Sequence, residues 1–146
     1  MKTLSLRAAI GEFLISSLLL LSGLNSMATA YYSGSGILLK DGQLLAAIEQ
    51  YREAVHLMPE VADFHLNLGT ALNKNNQTDE AIQQFQKTLQ LRPSDARTHN
   101  NLGIALLIKG KTDDAINHFQ EAIHLNPDYA LAQTNLARAR RIKNGL

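Results

Sequence analysis

The sequence predicts an all-α fold built as a stack of helical hairpins, and three observations carry that prediction. The first is a 34-residue repeat. Gly69 and Gly103, Ala81 and Ala115, Phe85 and Phe119, and Pro93 and Pro127 are each one period apart, and Pro59 lies one period further upstream. Residues 62–95 aligned with 96–129 give 15 identities in 34 positions. The second is that each unit carries two apolar stripes at helical spacing: Leu68, Ala71 and Leu72, then Ala81, Ile82, Phe85 and Leu89. The third is composition. The chain is 45% hydrophobic and 18% charged, and only 5% aromatic. An interior of Leu, Ala and Ile suits packed helices better than sheets. Units of this length cannot bury their apolar faces alone and must stack on their neighbours.

Taken in order, residues 1–30 read as an address. Lys2 and Arg7 give a positive start, and residues 13–24 form a 12-residue apolar stretch. That is short of the roughly 20 residues needed to span a bilayer and matches the apolar region of a secretory signal. Ala28 and Ala30 supply the small residues of an A-x-A cleavage site. The expectation is cleavage after Ala30 and an exported chain, periplasmic or secreted, that starts at Tyr31. The alternative is an uncleaved membrane anchor made by residues 13–24. A buried first helix is disfavoured, because Leu18 to Leu21 are apolar all round rather than on one stripe. With no cysteine in the chain, a lipoprotein signal, disulfides and thiol chemistry are excluded.

The first repeat, residues 31–61, keeps Gly42, Ala47, Ile48, Tyr51, Ala54, Leu57 and Pro59, so its second helix is secure. Its first helix contains Ser33-Gly34-Ser35-Gly36 and is expected to be short or frayed, since each glycine lowers helix propensity. Repeats two and three occupy 62–95 and 96–129. Gly69 and Gly103 sit where the two helices of a unit cross, and lacking Cβ they permit close approach. Polar breaks at 74–77 and 109–111 separate the helices, and Thr78 and Thr112 are expected caps ahead of Asp79 and Asp113. Pro93 and Pro127 end their units. Residues 130–146 read as a capping helix in which Asn135-Leu136-Ala137 repeats Asn101-Leu102-Gly103.

These units resemble the tetratricopeptide repeat, whose pattern is W-x2-L-G-x2-Y, then A-x3-F, then Pro. The middle unit presents His65, Leu68, Gly69, Leu72, Ala81, Phe85 and Pro93. The next presents His99, Leu102, Gly103, Leu106, Ala115, Phe119, Ala122 and Pro127. His stands for the first aromatic in both, Leu for Tyr, and Thr88 for the usual small Ala. The resemblance implies a right-handed superhelix of three repeats plus a capping helix. Its concave face is lined by the first helix of each unit and receives an extended polypeptide. Candidate binding residues on that face are Asp63, Asn67, Thr70, Lys74, Arg97, Asn100, Asn101, Asn135 and Arg138. Asn67, Asn101 and Asn135 recur at one repeat position, and an amide can meet a peptide N–H and C=O together. This row resembles the asparagine ladder in the repeats of O-linked N-acetylglucosamine transferases, whose catalytic domain has no counterpart here. A clamp for a chaperone tail is incomplete, because Tyr32 and Gly36 stand where Lys and Asn are wanted.

Charge and motif content narrow the function classes. Net charge is +1, but Arg138, Arg140, Arg141 and Lys143 cluster at the end, which leaves residues 31–137 acidic. A nucleic-acid binder needs the opposite balance. The five histidines form no H-x3-H or H-E-x-x-H pattern, so no metal site is expected. No nucleophile has a base beside it and no glycine-rich loop opens a helix, so neither catalysis nor a cofactor is expected. The expected partner is another protein or a peptide segment, acidic or carboxylate-ended, drawn by Lys74, Arg97, Arg138 and Arg141. Three repeats are near the minimum for stability, so weak self-association through an under-covered first edge is a further expectation.

Overall fold

The computed structural model describes residues 2–40 and 42–145, with side chains from Ser17 onward. Among the described residues there are seven helices and no strand: α1 (Lys2–Lys40), α2 (Leu44–Leu57), α3 (Ala62–Lys74), α4 (Thr78–Leu91), α5 (Ala96–Ile108), α6 (Thr112–Leu125) and α7 (Ala130–Lys143). Helices α1/α2, α3/α4 and α5/α6 pair as hairpins, each hairpin packs on the next, and α7 closes the stack on α5 and α6.

The repeat is visible in what is buried. Ala47, Ala81 and Ala115 share one repeat position and are fully buried, as do Ala54, Thr88 and Ala122 at another. Tyr51, Phe85 and Phe119 share a third and fill the space between the two helices of each hairpin. Opposite the last two rings stand Gly69 and Gly103. A Cβ built on Gly103 would lie 2.6 Å from Phe119 Cε1, and one on Gly69 would lie 2.8 Å from Phe85 Cε1. Glycine is required here for room. It is required for conformation at the hairpin turns, where Gly42, Asn76 and Gly110 lie 34 residues apart and adopt φ of 75°, 61° and 73°. Only glycine or asparagine enters that left-handed region readily.

The first helix departs from expectation. It is neither short nor frayed, and it runs unbroken through Ser33-Gly34-Ser35-Gly36. Tertiary packing explains the difference. Ser35 stands one period before Gly69, is fully buried, and donates its hydroxyl to the Tyr31 carbonyl at 2.7 Å. Tyr32 stacks on Phe64 at 4.8 Å between ring centroids and tilts against Tyr51 at 5.8 Å. Burial of aromatic side chains outweighs the ~1 kcal/mol that each glycine costs a helix. Ala28, one period before Ala62, is fully buried with Ala54 and Phe64. The A-x-A segment therefore lies inside α1, where Ala28 packs against the first and second hairpins.

Cap chemistry also differs in detail. Helix α4 is capped at Gln77 and α6 at Lys111, without a side-chain hydrogen bond, and Thr78 and Thr112 are the first residues inside their helices. The side-chain cap that does form belongs to Asp95, which accepts from the Thr98 N–H at 3.0 Å. Asp79, Glu80, Asp113 and Asp114 do fall in first turns, where the helix dipole favours them. Between repeats, Arg52 reaches Glu80 at 2.9 Å and Lys109 reaches Asp79 at 2.9 Å. Exposed pairs of this kind contribute little to stability.

Candidate functional site: the face formed by the first helices

Helices α1, α3, α5 and α7 lie side by side, and a row of side-chain hydrogen bonds stitches them together. The Asn67 amide donates to the Tyr32 hydroxyl, and Asn101 Nδ2 donates to Thr70 Oγ1 at 3.4 Å. Asn135 Nδ2 donates to Asn100 Oδ1 at 2.8 Å. Each recurrent asparagine thus reaches back to the preceding first helix. The three are only part-buried, so their remaining polar atoms stay within reach of a guest.

Asn100 corrects the expectation drawn for it. It is fully buried, and its oxygen is the acceptor for Asn135, so it supports the row from beneath and cannot itself touch a guest. Thr70 sits beside Asn101 with its own hydroxyl donated to the Leu66 carbonyl at 2.8 Å. Asp63 and Arg97 are placed together but are not free. Arg92 donates to both Asp63 oxygens at 3.1 Å, and Arg97 lies 3.6 Å from Asp63 and 3.4 Å from Asp95. The Arg92 guanidinium holds the Asp63 carboxyl below the usual carboxylate range. Arg97 adds less positive potential than its position suggested. Lys74 and Arg138 are exposed, and neither has a carboxylate at ion-pair distance among the described residues.

Two features escaped the sequence reading. Tyr32 sits at a position where the other first helices carry Leu66, Asn100 and Thr134, and nothing in the pattern announced that its hydroxyl would anchor Asn67. The other is an apolar cavity of about 230 Å³ between α5 and α7, lined by Ile104, Leu107, Ile108, Asn135, Arg138 and Ile142. Ile142 stands one period after Ile108, a recurrence that could have been noticed.

The histidines divide by partner. His65 Nε2 lies 2.8 Å from the Pro59 carbonyl and its Nδ1 lies 2.7 Å from the Gln84 side-chain amide. One repeat later His99 keeps the prolyl contact, with Nε2 3.1 Å from the Pro93 carbonyl, but its Nδ1 meets His118 Nδ1 at 3.0 Å. The carbonyl can only accept, so His99 Nε2–H donates to it and the neutral His99 Nδ1 accepts from His118 Nδ1–H. Burial first, and the neighbouring His99 ring second, hold the His118 pKa below the usual imidazole value, against the opposing pull of Asp114 and Glu121. A depressed pKa in the folded state means that the unfolded chain binds protons first. This contribution to stability is full above the ordinary imidazole pKa of about 6.5 and is lost as pH falls below it. His118→Gln, which recreates the His65–Gln84 pairing, is expected to reduce the stability lost between pH 7.5 and 5. Urea midpoints at the two pH values measure it, and an unchanged difference would mean that the pair is not the acid-sensitive element. Among the described residues no three His, Asp or Glu side chains are placed to share a metal ion.

Comparison with known proteins now decides the family. Two tetratricopeptide-repeat family models match, one over residues 37–96 and one over 96–129, together more than half of the chain. The chain belongs to the tetratricopeptide-repeat family. Solved structures agree on the fold. The first repeat domain of Spaghetti (RPAP3), bound to the HSP90 peptide SRMEEVD, superposes with a TM-score of 0.79 at 17% identity, covering 82% of this chain and 94% of that one. MamA gives 0.77 at 22% identity over 80% of this chain and 68% of its own. The second repeat domain of human RPAP3, in complex with the HSP70 peptide SGPTIEEVD, gives 0.76 at 22% identity over 80% and 98%. No curated protein matches the chain. In tetratricopeptide-repeat terms, α1, α3, α5 and α7 are the first helices of their units and line the inner face of the superhelix.

Proposed function

We propose that this chain is a non-catalytic protein-interaction module whose inner face holds an extended polypeptide by its backbone. The observation that carries the proposal is the asparagine row. Each amide is oriented by a hydrogen bond to the preceding first helix, and among the described residues nothing donates to Oδ1 of Asn67 or Asn135. Those oxygens are acceptors for guest peptide N–H groups, and the second amide hydrogen of each residue is a donor for guest carbonyls. Likeness to the asparagine ladder of the O-linked N-acetylglucosamine transferases is part of this proposal. So is the guest's character, acidic rather than basic, because Lys74 and Arg138 lack carboxylate partners. That two neighbours of the same fold are peptide-bound supports a peptide guest.

The test is a double substitution, Asn67→Ala with Asn101→Ala. Asn135 is spared because truncating it would leave the buried Asn100 oxygen without its 2.8 Å donor, a larger loss than the 3.4 Å bond from Asn100 Nδ2 to Asn101 Oδ1 that Asn101→Ala removes. Against a panel of labelled extended peptides, affinity is expected to fall about tenfold or more whatever the side-chain sequence, as two hydrogen bonds of about 1 kcal/mol each are lost. Circular dichroism should remain unchanged. Equal affinity for wild type and variant would reduce the row to an inter-repeat stitch.

A second reading, a membrane-tethered assembly factor, is favoured by one observation. Leu18, Leu19, Leu20 and Leu21 are each more than half exposed on the helix that runs into the first repeat. Among the described residues no helix is long and apolar enough to cross a membrane. We therefore keep export, with residues 1–30 as its signal, as the main proposal and the anchor as the second.

A further inference from the structure

The inner face changes character along its length. In the second repeat, Thr70, Asn73 and Lys74 occupy positions that the third repeat fills with Ile104, Leu107 and Ile108. Ile108 is 60% exposed, and Ile142, one period later on α7, is 48% exposed. These four apolar side chains line the cavity between α5 and α7, with Asn135 and Arg138 completing its wall. At about 230 Å³ it falls short of the 300–1,000 Å³ typical of small-molecule pockets, and it is the size of a side-chain socket. Arg138 stands at its edge. Several cations of the repeats are paired, Arg92 with Asp63, Lys109 with Asp79 and Lys143 with Asp113, whereas Lys74 on the same face is not. Among the described residues Arg138 has no such partner. An exposed isoleucine pair beside an unneutralised guanidinium is complementary to one kind of guest: an apolar side chain carried next to a negative charge.

We infer that this cavity is the specificity socket of the proposed peptide groove, seating one aliphatic side chain of the guest while Arg138 pairs with a glutamate or aspartate next to it in sequence. The inference rests on the peptide-binding reading and adds side-chain selection to a groove whose asparagines recognise backbone. The asparagine row sets the path of the chain and the socket sets its register.

Fluorescence anisotropy on the full chain tests it with three labelled, end-amidated octapeptides. One carries Leu-Glu-Glu in a Gly-Ser background, one replaces the leucine by serine, and one replaces both glutamates by glutamine. The leucine–glutamate peptide is expected to bind at least tenfold tighter than the serine version. The variant Ile108→Ser with Ile142→Ser should erase that difference, and Arg138→Glu should erase or reverse the preference for glutamate over glutamine. Both substitutions are at exposed positions, and an unchanged circular dichroism spectrum is the check that the fold persists. If the three peptides bind wild type equally, or if both variants keep the wild-type preferences, the socket is overturned. Should Asn67→Ala with Asn101→Ala still weaken all three peptides in that case, the backbone-binding groove survives without it. Failure of all three to bind wild type overturns both readings. Light scattering supplies a last check: a dimer that Ile108→Ser with Ile142→Ser dissolves would make a second copy the occupant and overturn the proposal.

Discussion

Phe119→Ala is expected to destabilise the protein by ~3–5 kcal/mol, the usual range for truncating a fully buried phenylalanine. The ring has no exposed surface, and it fills the gap that Gly103 leaves open on α5. Alanine would leave a cavity in the buried cluster that Phe119 shares with Ala115, Leu102 and Ala105. Small domains carry only ~5–15 kcal/mol of total stability, so the loss is a large fraction of it. In a stack whose repeats are stabilised by their neighbours, it should also loosen α7, which rests on α6. Urea denaturation measures the effect as a lower midpoint with the slope unchanged. A loss below about 1 kcal/mol would show that the ring is not the keystone of its hairpin.

Deleting residues 1–30, the product expected from cleavage after Ala30, should lower the local stability of the first hairpin by ~1 kcal/mol, the scale of burying one methyl group. The deletion removes Ala28 from its place against Ala54 and Phe64, and with it the turn of α1 that precedes Tyr32. Deleting only residues 1–23 leaves that turn intact and should be close to neutral. Hydrogen exchange across α1 and α2 separates the two, with faster exchange confined to the first hairpin in the longer deletion. The mass of the protein recovered from its native host then bears on biology. A chain beginning at Tyr31 establishes cleavage and a first repeat that works with a shortened helix. A chain retaining residues before Ala28 establishes that the apolar segment stays, and favours the tethered reading. Equal exchange in the two deletions would show that Ala28 contributes nothing to the hairpin.

The two readings of Ala28 show where a sequence pattern is ambiguous. Small residues two apart satisfy a signal peptidase, and a small residue at the first position of a unit satisfies helix packing, as Ala62 also does. Local chemistry is the same in both cases. Only the position of Phe64 and Ala54 around Ala28 reveals the second use. The glycines at 34 and 36 were misleading for a related reason: propensity is a local quantity, whereas α1 is stabilised by Tyr32 and Ser35 packing on other helices.

The candidate face was legible in part. Recurrence alone picked out Asn67, Asn101 and Asn135, because a solenoid converts sequence period into spatial alignment. The partners of their amides were not legible, since Tyr32, Thr70 and Asn100 lie 31 to 35 residues away and hold no fixed motif. Nor was the pairing of Arg97 with Asp63 and Asp95, which reduces the positive charge offered to a guest.

By itself, then, the sequence determined the repeat, its family and the buried ladder of Ala, Phe and Gly. All of these follow from periodicity, and each unit's geometry is set by residues within one period. What only the tertiary structure decided are the contacts between units: an unbroken first helix, a buried Asn100, amides tied across repeats, and a socket closed by Ile108 and Ile142. The physical reason is one of range. Helix and turn preferences act over a few residues, whereas burial, pairing and cavity shape depend on which side chains two neighbouring helices bring face to face.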